Sequence, residues 1–417
     1  MHGSQRRPDR WLTSHVDDHA AWGRRTLLRL GAIAVAGLLL PGCFRESEDA
    51  ARAAPATTMM RFPGKTELIL LTDRPPQLET PLRYYRQDFT PNEAFYVRWH
   101  LSGLPGSVDI RTFTLSITGH CERPLSLSLE DLRSRFDPFE VIAVNQCSGN
   151  GRSMYQPRVP GGQWGNGAVG NARWTGVRLK DLLDRAGLKP GAVSVSFQGL
   201  DRPPLPSTPS YIKALSAEHA QDGEVMVAYA MNGEPLPMLN GFPLRLVVPG
   251  WYATYWVKAL SDITVLDHAF SGFWMDKAYR IPTTLDAQES PDHLATETVP
   301  INRMSVRSLF VRPEPEERLE RHQAYPVEGI AIDSGIGIER VEVTSDAGAT
   351  WKLATLDPAI GRYSWRRWRL PWTPTAPGSA RLMVRAVDRS GRSQTSAQWN
   401  RSGYARNAIE HVDVTVS

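Results

Sequence analysis

Apolar positions in this chain come in short runs broken by glycine and proline, and no long stretch sustains a helical period. Phe139 to Asn145 is an apolar run of strand length. Val177, Leu179, Leu182, Leu183 and Ala186 fall at helical spacing, and Gly187 stops that pattern. Val193–Phe197, Val225–Ala230 and Leu244–Val248 have the β-branched and aromatic character of strands. Asn232–Gly233 is a tight-turn signal at the end of one of them. Strands and helices do not alternate regularly, so a doubly wound sheet is excluded and an α+β domain is expected.

The C-terminal quarter has a different pattern. Val327–Ile332, Ile338–Ser345, Trp351–Leu356, Ser364–Leu370, Arg381–Val387 and His411–Val416 are short β-rich runs. Turn residues such as Asp346–Ala347–Gly348 and Arg389–Ser390–Gly391 separate them. This spacing predicts an all-β, immunoglobulin-like sandwich, without the cysteine pair of an antibody domain. The Pro/Glu-rich stretch Pro313–Arg318 is expected to be a linker or an extended edge. The predicted organisation is a leader over 1–58, a catalytic domain over 59–300 and the sandwich over 301–417.

The N-terminus sets an expected compartment. Arg24–Arg25–Thr26–Leu27–Leu28–Arg29 is a twin-arginine motif, and the apolar stretch Leu30 to Leu40 follows it. That stretch is too short for a membrane span of about 20 residues and fits an export signal. Export by the twin-arginine machinery to the periplasm is expected, a route that carries folded proteins with cofactor inserted. Leu40–Pro41–Gly42–Cys43 resembles a lipoprotein box, which would tether the chain through a lipid on Cys43; cleavage near Ala51–Arg52–Ala53 is the alternative. Residues 1–42 hold six arginines against three aspartates, so three of the four formal positive charges leave with the signal. The remainder is nearly neutral, which argues against nucleic-acid binding. Its arginines are scattered singly, the form that recognises small oxyanions.

Three cysteines are too few for a disulfide framework in an exported chain. Cys121 is expected to be a buried free thiol. Cys147 lies in Asn145–Gln146–Cys147–Ser148–Gly149–Asn150–Gly151–Arg152, among turn residues and five positions before an arginine. A thiolate there could serve a soft metal or act as a nucleophile, and a metal makes the better use of it.

Several ordered motifs then support a resemblance. They are Phe95–Tyr96–Val97–Arg98–Trp99–His100, Cys147–Ser148–Gly149–Asn150–Gly151–Arg152 and Gly165–Asn166–Gly167–Ala168–Val169–Gly170–Asn171–Ala172–Arg173–Trp174–Thr175–Gly176–Val177. Ala228–Tyr229–Ala230–Met231–Asn232–Gly233 and Gly241–Phe242–Pro243–Leu244–Arg245 follow. Together they resemble the sulfite oxidase family of molybdenum enzymes, and look closest to its bacterial periplasmic sulfite dehydrogenases. The resemblance covers nearly everything after the leader. It implies a molybdopterin-binding first domain of sulfite oxidase fold and a sandwich used for dimerisation, which allows a homodimer.

What the resemblance implies about the site follows residue by residue. Cys147 matches the thiolate ligand of a mononuclear molybdenum. Arg98, Arg152, Trp164 and Tyr279 match residues around the anion, Tyr279 lying five positions after Trp274. Arg98, His100, Asp201, Asn240, Arg245 and Lys258 match cofactor contacts, with Asn240 where the vertebrate enzymes have histidine. The implied reaction is oxygen-atom transfer to sulfite, giving sulfate. The electrons would pass to a c-type cytochrome or a haem c subunit, because the chain has no Cys-x-x-Cys-His motif for a haem of its own. One departure concerns the second domain. The vertebrate enzymes place an arginine directly before the glycine of a Trp-Asn-x-Arg-Gly segment, whereas this chain has Trp399–Asn400–Arg401–Ser402–Gly403. Arg401 and Arg406 are both candidates for the missing cation. The alternatives are a sulfane- or sulfoxide-specific relative of the same superfamily and a cofactor-less assembly lipoprotein.

Overall fold

The computed structural model describes residues 58–417 apart from 316, 396 and 397. The twin-arginine motif, the apolar signal and Cys43 lie outside the described residues. Among the described residues up to 300 there are three larger sheets and a two-stranded one, in which Arg280–Pro282 pairs with Thr298–Pro300. One runs in the order Ile212–Ser216, Ser194–Gly199, Leu260–Leu266, Thr114–Gly119, Leu125–Ser128, with a parallel pairing between Leu260–Leu266 and Thr114–Gly119. A second is built on Phe139–Gln146, Val169–Arg178 and Met226–Met231, with Glu234–Pro235 and Arg245–Val247 both pairing on the last of these. A third holds Met59–Arg61, Glu67–Asp73, Pro76–Glu79 and the short Val97–Arg98.

Helices among the described residues are few and short, so this region is mostly β, and the helical share expected of an α+β domain is small. Leu129–Ser134 opens on a capping box, in which the Ser128 side chain accepts from the Asp131 N–H and the Asp131 carboxylate accepts in return. Leu179–Ala186 buries Leu179, Leu182, Leu183 and Ala186 on one face and ends at Gly187. Val177, expected to begin this helix, instead pairs with Val227 as part of Val169–Arg178. That ten-residue strand occupies the glycine-rich motif, where a strand is hard to foresee. Its glycines allow close packing: a Cβ on Gly170 would lie 2.6 Å from the Phe95 ring.

Beyond residue 300 two sheets face each other, antiparallel except at one edge. One contains Arg307–Arg312, Tyr325–Ile332, Arg366–Trp372 and Thr355–Leu356. The other contains Arg318–Leu319, Glu410–Val416, Gly378–Asp388, Ile338–Thr344 and Lys352–Leu353. Phe310, Val327, Val341, Trp368, Val384 and Val412 form the core between them. Inward residues alternate along the strands, as a sandwich requires. Pro313–Arg318 is therefore not a linker: it follows the first sandwich strand, and Arg318–Leu319 pairs in parallel with Thr415–Val416 as an edge. Thr57–Ser417 forms one compact unit. Arg307, fully buried, ties the sandwich to the earlier sheets through the Asn150 carbonyl at 3.0 Å. No helix among the described residues is long and apolar enough to cross a membrane.

Candidate active site

Two cavities meet at Cys147. This residue follows the strand Phe139–Gln146, its N–H donates to the Ala168 carbonyl at 2.9 Å, and its thiol is unpaired and nearly buried. Cys147, Arg98 and Tyr279 line both cavities. The wider cavity, about 270 Å³, also takes in Arg152, Trp164, Lys277, Arg280, Arg401, Ser402 and Tyr404. Five of its lining residues are cationic and none is a carboxylate. The narrower cleft is lined by Tyr96, His100, Ser148, Asn240, Arg245, Thr254 and Lys258 among others.

The wider cavity has a rigid frame. Arg152 donates Nε to the Ser402 carbonyl (3.3 Å) and Nη1 to the Gly162 carbonyl (3.1 Å), and its guanidinium lies 4.8 Å from the Tyr404 ring centre. Gly403 is required there: its φ is +59°, and a Cβ would come within 2.7 Å of the Arg152 side chain. Tyr279 stacks on Tyr404 with ring centres 5.2 Å apart. Its own φ is +58°, a left-handed backbone that an aromatic residue adopts at a cost of about 1–3 kcal/mol. The Tyr279 carbonyl accepts from Ile301 N–H at 2.8 Å, and its hydroxyl is hydrogen-bonded to His100 Nε2. Burial, and then Arg98, Lys258 and Lys213, hold the His100 pKa well below its ordinary value, so the imidazole is neutral near pH 7.

In the cleft, cations outnumber their partners. Burial lowers Lys258 to about 7, and Arg245 adds to this. Burial lowers Arg245 to about 10. Arg245 donates Nη1 to the Asn240 carbonyl (3.0 Å) and Nη2 to Asn145 Oδ1 (3.2 Å), but its Nε is buried without a partner. Ser148 Oγ and Asn145 Nδ2 are also buried and unpartnered. Each such orphan costs about 1–3 kcal/mol unless a ligand meets it. This pattern fits a bound polyanion with many hydrogen-bonding atoms, as a phosphate-bearing pterin is. Among the described residues no three His, Cys, Asp or Glu side chains gather as a metal cage. Cys147 therefore fits a metal that takes one ligand from protein and the rest from an organic group.

Of the residues singled out in the sequence, Arg98, His100, Cys147, Arg152, Trp164, Asn240, Arg245, Lys258 and Tyr279 line one cavity or both. Asp201 lines neither; it is buried and electrostatically linked to Lys258. Arg406 is also absent from both, because its Nε is committed to Glu410 at 3.1 Å. Arg401 reaches the wider cavity but closes on Glu289 at 2.5 Å. Sequence reasoning missed Lys65, Lys213 and Lys277. Lys65 is buried and donates to Asn240 Oδ1 and, at 2.9 Å, to the Phe95 carbonyl. Lys213 is buried, donates to the Trp274 carbonyl at 2.7 Å and lies 5.3 Å from the Tyr279 ring centre. A lysine at an inward strand position was the available signal for Lys213.

Comparison with known proteins agrees with this geometry. Residues 101–274 match the family described as oxidoreductase molybdopterin binding domain. Residues 298–417 match the Mo-co oxidoreductase dimerisation domain. Human mitochondrial sulfite oxidase is 34% identical over 83% of this chain, which spans 65% of that relative's length. Chicken sulfite oxidase is 34% identical over 87% of this chain and 82% of its own. Among solved structures, the sulfane dehydrogenase SoxCD from Paracoccus pantotrophus aligns with a TM-score of 0.71 at 26% identity, covering 89% of this chain and 93% of that one. The chain belongs to the sulfite oxidase family of molybdopterin oxidoreductases.

Proposed function

We propose that this protein is the molybdenum-pterin component of a periplasmic sulfite dehydrogenase, which oxidises sulfite to sulfate and delivers electrons to a c-type cytochrome. One observation carries this: a cavity with five cations and no carboxylate opens onto Cys147, beside a cleft rich in unsatisfied donors. The first suits a small oxyanion and the second a phosphate-bearing cofactor. Bound there, molybdenum–molybdopterin would supply two-electron redox and oxygen-transfer chemistry that side chains lack. Cys147 would be its protein ligand. Arg245, Lys258, Asn240 and His100 would hold the pterin and its phosphate, with Asp201 acting through Lys258.

The remaining residues bind and orient the substrate. Arg98 donates Nη1 to the Trp99 carbonyl at 2.7 Å, leaving its other nitrogens for the anion. Arg152 stands beside it, and Trp164 forms a wall that does not titrate. The Tyr279 hydroxyl can donate its one proton to an oxygen of the anion while its oxygen accepts from the Nε2–H of the neutral His100, which holds the phenol in place. Export by the twin-arginine route, with either a lipid tether at Cys43 or cleavage near Ala51–Arg52–Ala53, a catalytic unit over 59–300, homodimerisation through 301–417 and the absence of haem belong to the same proposal. The likeness to the sulfane dehydrogenase SoxCD supports a second reading, in which the substrate is a sulfane. The test is steady-state reduction of cytochrome c or ferricyanide by molybdenum-loaded protein with sulfite. Sulfite-dependent reduction without haem absorption is expected; no reduction of either acceptor would refute the sulfite assignment.

A further inference from the structure

The five cations of the wider cavity differ in how many donors they have left. Arg280 has all three nitrogens engaged and spends three of its five donors: Nε to Thr298 Oγ1 (2.8 Å), Nη1 to the Met275 carbonyl (3.2 Å) and Nη2 to the Thr298 carbonyl. Arg401 gives Nε (2.9 Å) and Nη2 (2.5 Å) to Glu289, and Nη2 also to the Ala295 carbonyl (2.6 Å). The Glu289 carboxylate is almost fully enclosed and neutralises this arginine locally. Arg152 spends two of its nitrogens on backbone carbonyls.

Lys277 is different. It lines the cavity, its side chain is exposed, and its ammonium makes no hydrogen bond or ion pair among the described residues. Its neighbour Asp276 acts on it only through space, without an ion pair, since that carboxylate accepts from Ser271 Oγ (2.6 Å) and Gly272 N–H (2.8 Å). Lys277 also lies two residues before Tyr279, on the same short segment.

We infer that Lys277 is the cation that captures the oxyanion at the cavity mouth and hands it to Arg98, the role for which Arg401 and Arg406 were the sequence candidates. A compact ammonium on a flexible stem suits this task, because it can follow an incoming anion without a fixed geometry. Unpaired and exposed, it raises the local concentration of dianions and loses that effect in salt. This inference rests on the oxyanion assignment of the cavity proposed above.

Two measurements test it. In the loaded enzyme, Lys277→Met should raise KM for sulfite roughly fivefold with kcat within about twofold, and flatten the ionic-strength dependence of kcat/KM. Lys277→Arg should restore both. In the cofactor-free protein, sulfate binding followed by calorimetry should weaken by a similar factor in Lys277→Met. Unchanged KM and unchanged sulfate affinity would overturn the inference, as would a KM rise in Arg401→Met with none in Lys277→Met. Absence of sulfate binding by the wild type would overturn it too. Sulfate binding that depends on Lys277 in a protein unable to oxidise sulfite would uphold it while refuting the proposed reaction.

Discussion

Two groups of buried cations touch the Cys147–Arg152 loop, and they are built on opposite principles. Arg307 and Arg406 converge on Glu410, with Arg307 Nη2 at 2.8 Å and Arg406 Nε at 3.1 Å. Burial alone would raise the Glu410 pKa, but the two arginines outweigh it and hold the carboxyl below its usual range. The remaining Arg307 donors reach the Asn150 carbonyl and Asn166 Oδ1. The cleft cations Arg245 and Lys258 have no ion pair among the described residues, and burial shifts both toward their neutral forms. Buried arginine is thus no mark of function by itself; a surplus of buried positive charge beside orphaned donors is.

The sharpest separation of the two groups should come from Cys147→Ser. The thiol is in no disulfide and makes no hydrogen bond among the described residues, so the fold should be retained and the melting temperature nearly unchanged. Sulfite-dependent turnover should fall to background, because serine offers a harder, less acidic donor. Activity near wild type in that variant would remove Cys147 from the metal site. Glu410→Gln should do the reverse. It leaves two buried guanidinium groups without their counter-charge, a loss of about 3–5 kcal/mol in stability by denaturant unfolding. A loss under about 1 kcal/mol would mean that water reaches this cluster.

Tyr279→Phe comes next. It removes the hydroxyl bonded to His100 while keeping the stacking on Tyr404, so kcat should fall by roughly 10²-fold with the fold intact. An unchanged kcat would leave the phenol a purely structural part. Arg245→Met tests the cleft side of the comparison directly. Removing an unbalanced buried charge should leave the cofactor-free protein as stable as before, or more so, while molybdenum content after purification falls. If unfolding instead resembles that of Glu410→Gln, Arg245 is balanced by something the geometry does not reveal.

Much of the site was legible before any coordinates, because its chemistry-bearing residues sit in compact motifs. Arg98 and His100 share one such motif, and Cys147 and Arg152 another. What escaped depends on distant pairing. Nothing local to Arg401 says that Glu289, 112 positions away, will neutralise it. Nothing in the sequence singles out Lys277, since its meaning comes from what its neighbours have already spent. In the fold, the sandwich strands were visible through alternation, whereas Val169–Arg178 was hidden by glycines whose value lies in packing against Phe95. The helix at 179–186 was legible by its leucines, yet its first turn was overestimated because Val177 finds a better partner in a neighbouring strand.

A pH series separates the two groups without mutation. In the cofactor-free protein Lys65, Lys213 and Lys258 are each lowered from 10.5 to about 7, chiefly by burial. Between those values the unfolded chain binds more protons than the folded one, so stability rises with pH, by at most about 1.4 kcal/mol per pH unit for each lysine. Below pH 7 both states hold these protons and the contribution is flat. On the acid side Glu79, raised to about 7 by burial, loses stability as pH rises from 4.5, while His100 gains it up to about 6.5, so that limb is mixed. The alkaline limb is the clean one. Melting temperature should climb from pH 7 to 9 in cofactor-free protein. It should climb less once the cleft holds its phosphate, which restores the charge on Lys258 but leaves Lys213 unaffected. The Glu410 cluster adds nothing to this slope, since its carboxylate is ionised throughout that window. A flat profile in the cofactor-free protein would show that the cleft lysines are hydrated, and an equal slope in both forms would show that the cofactor phosphate does not meet Lys258.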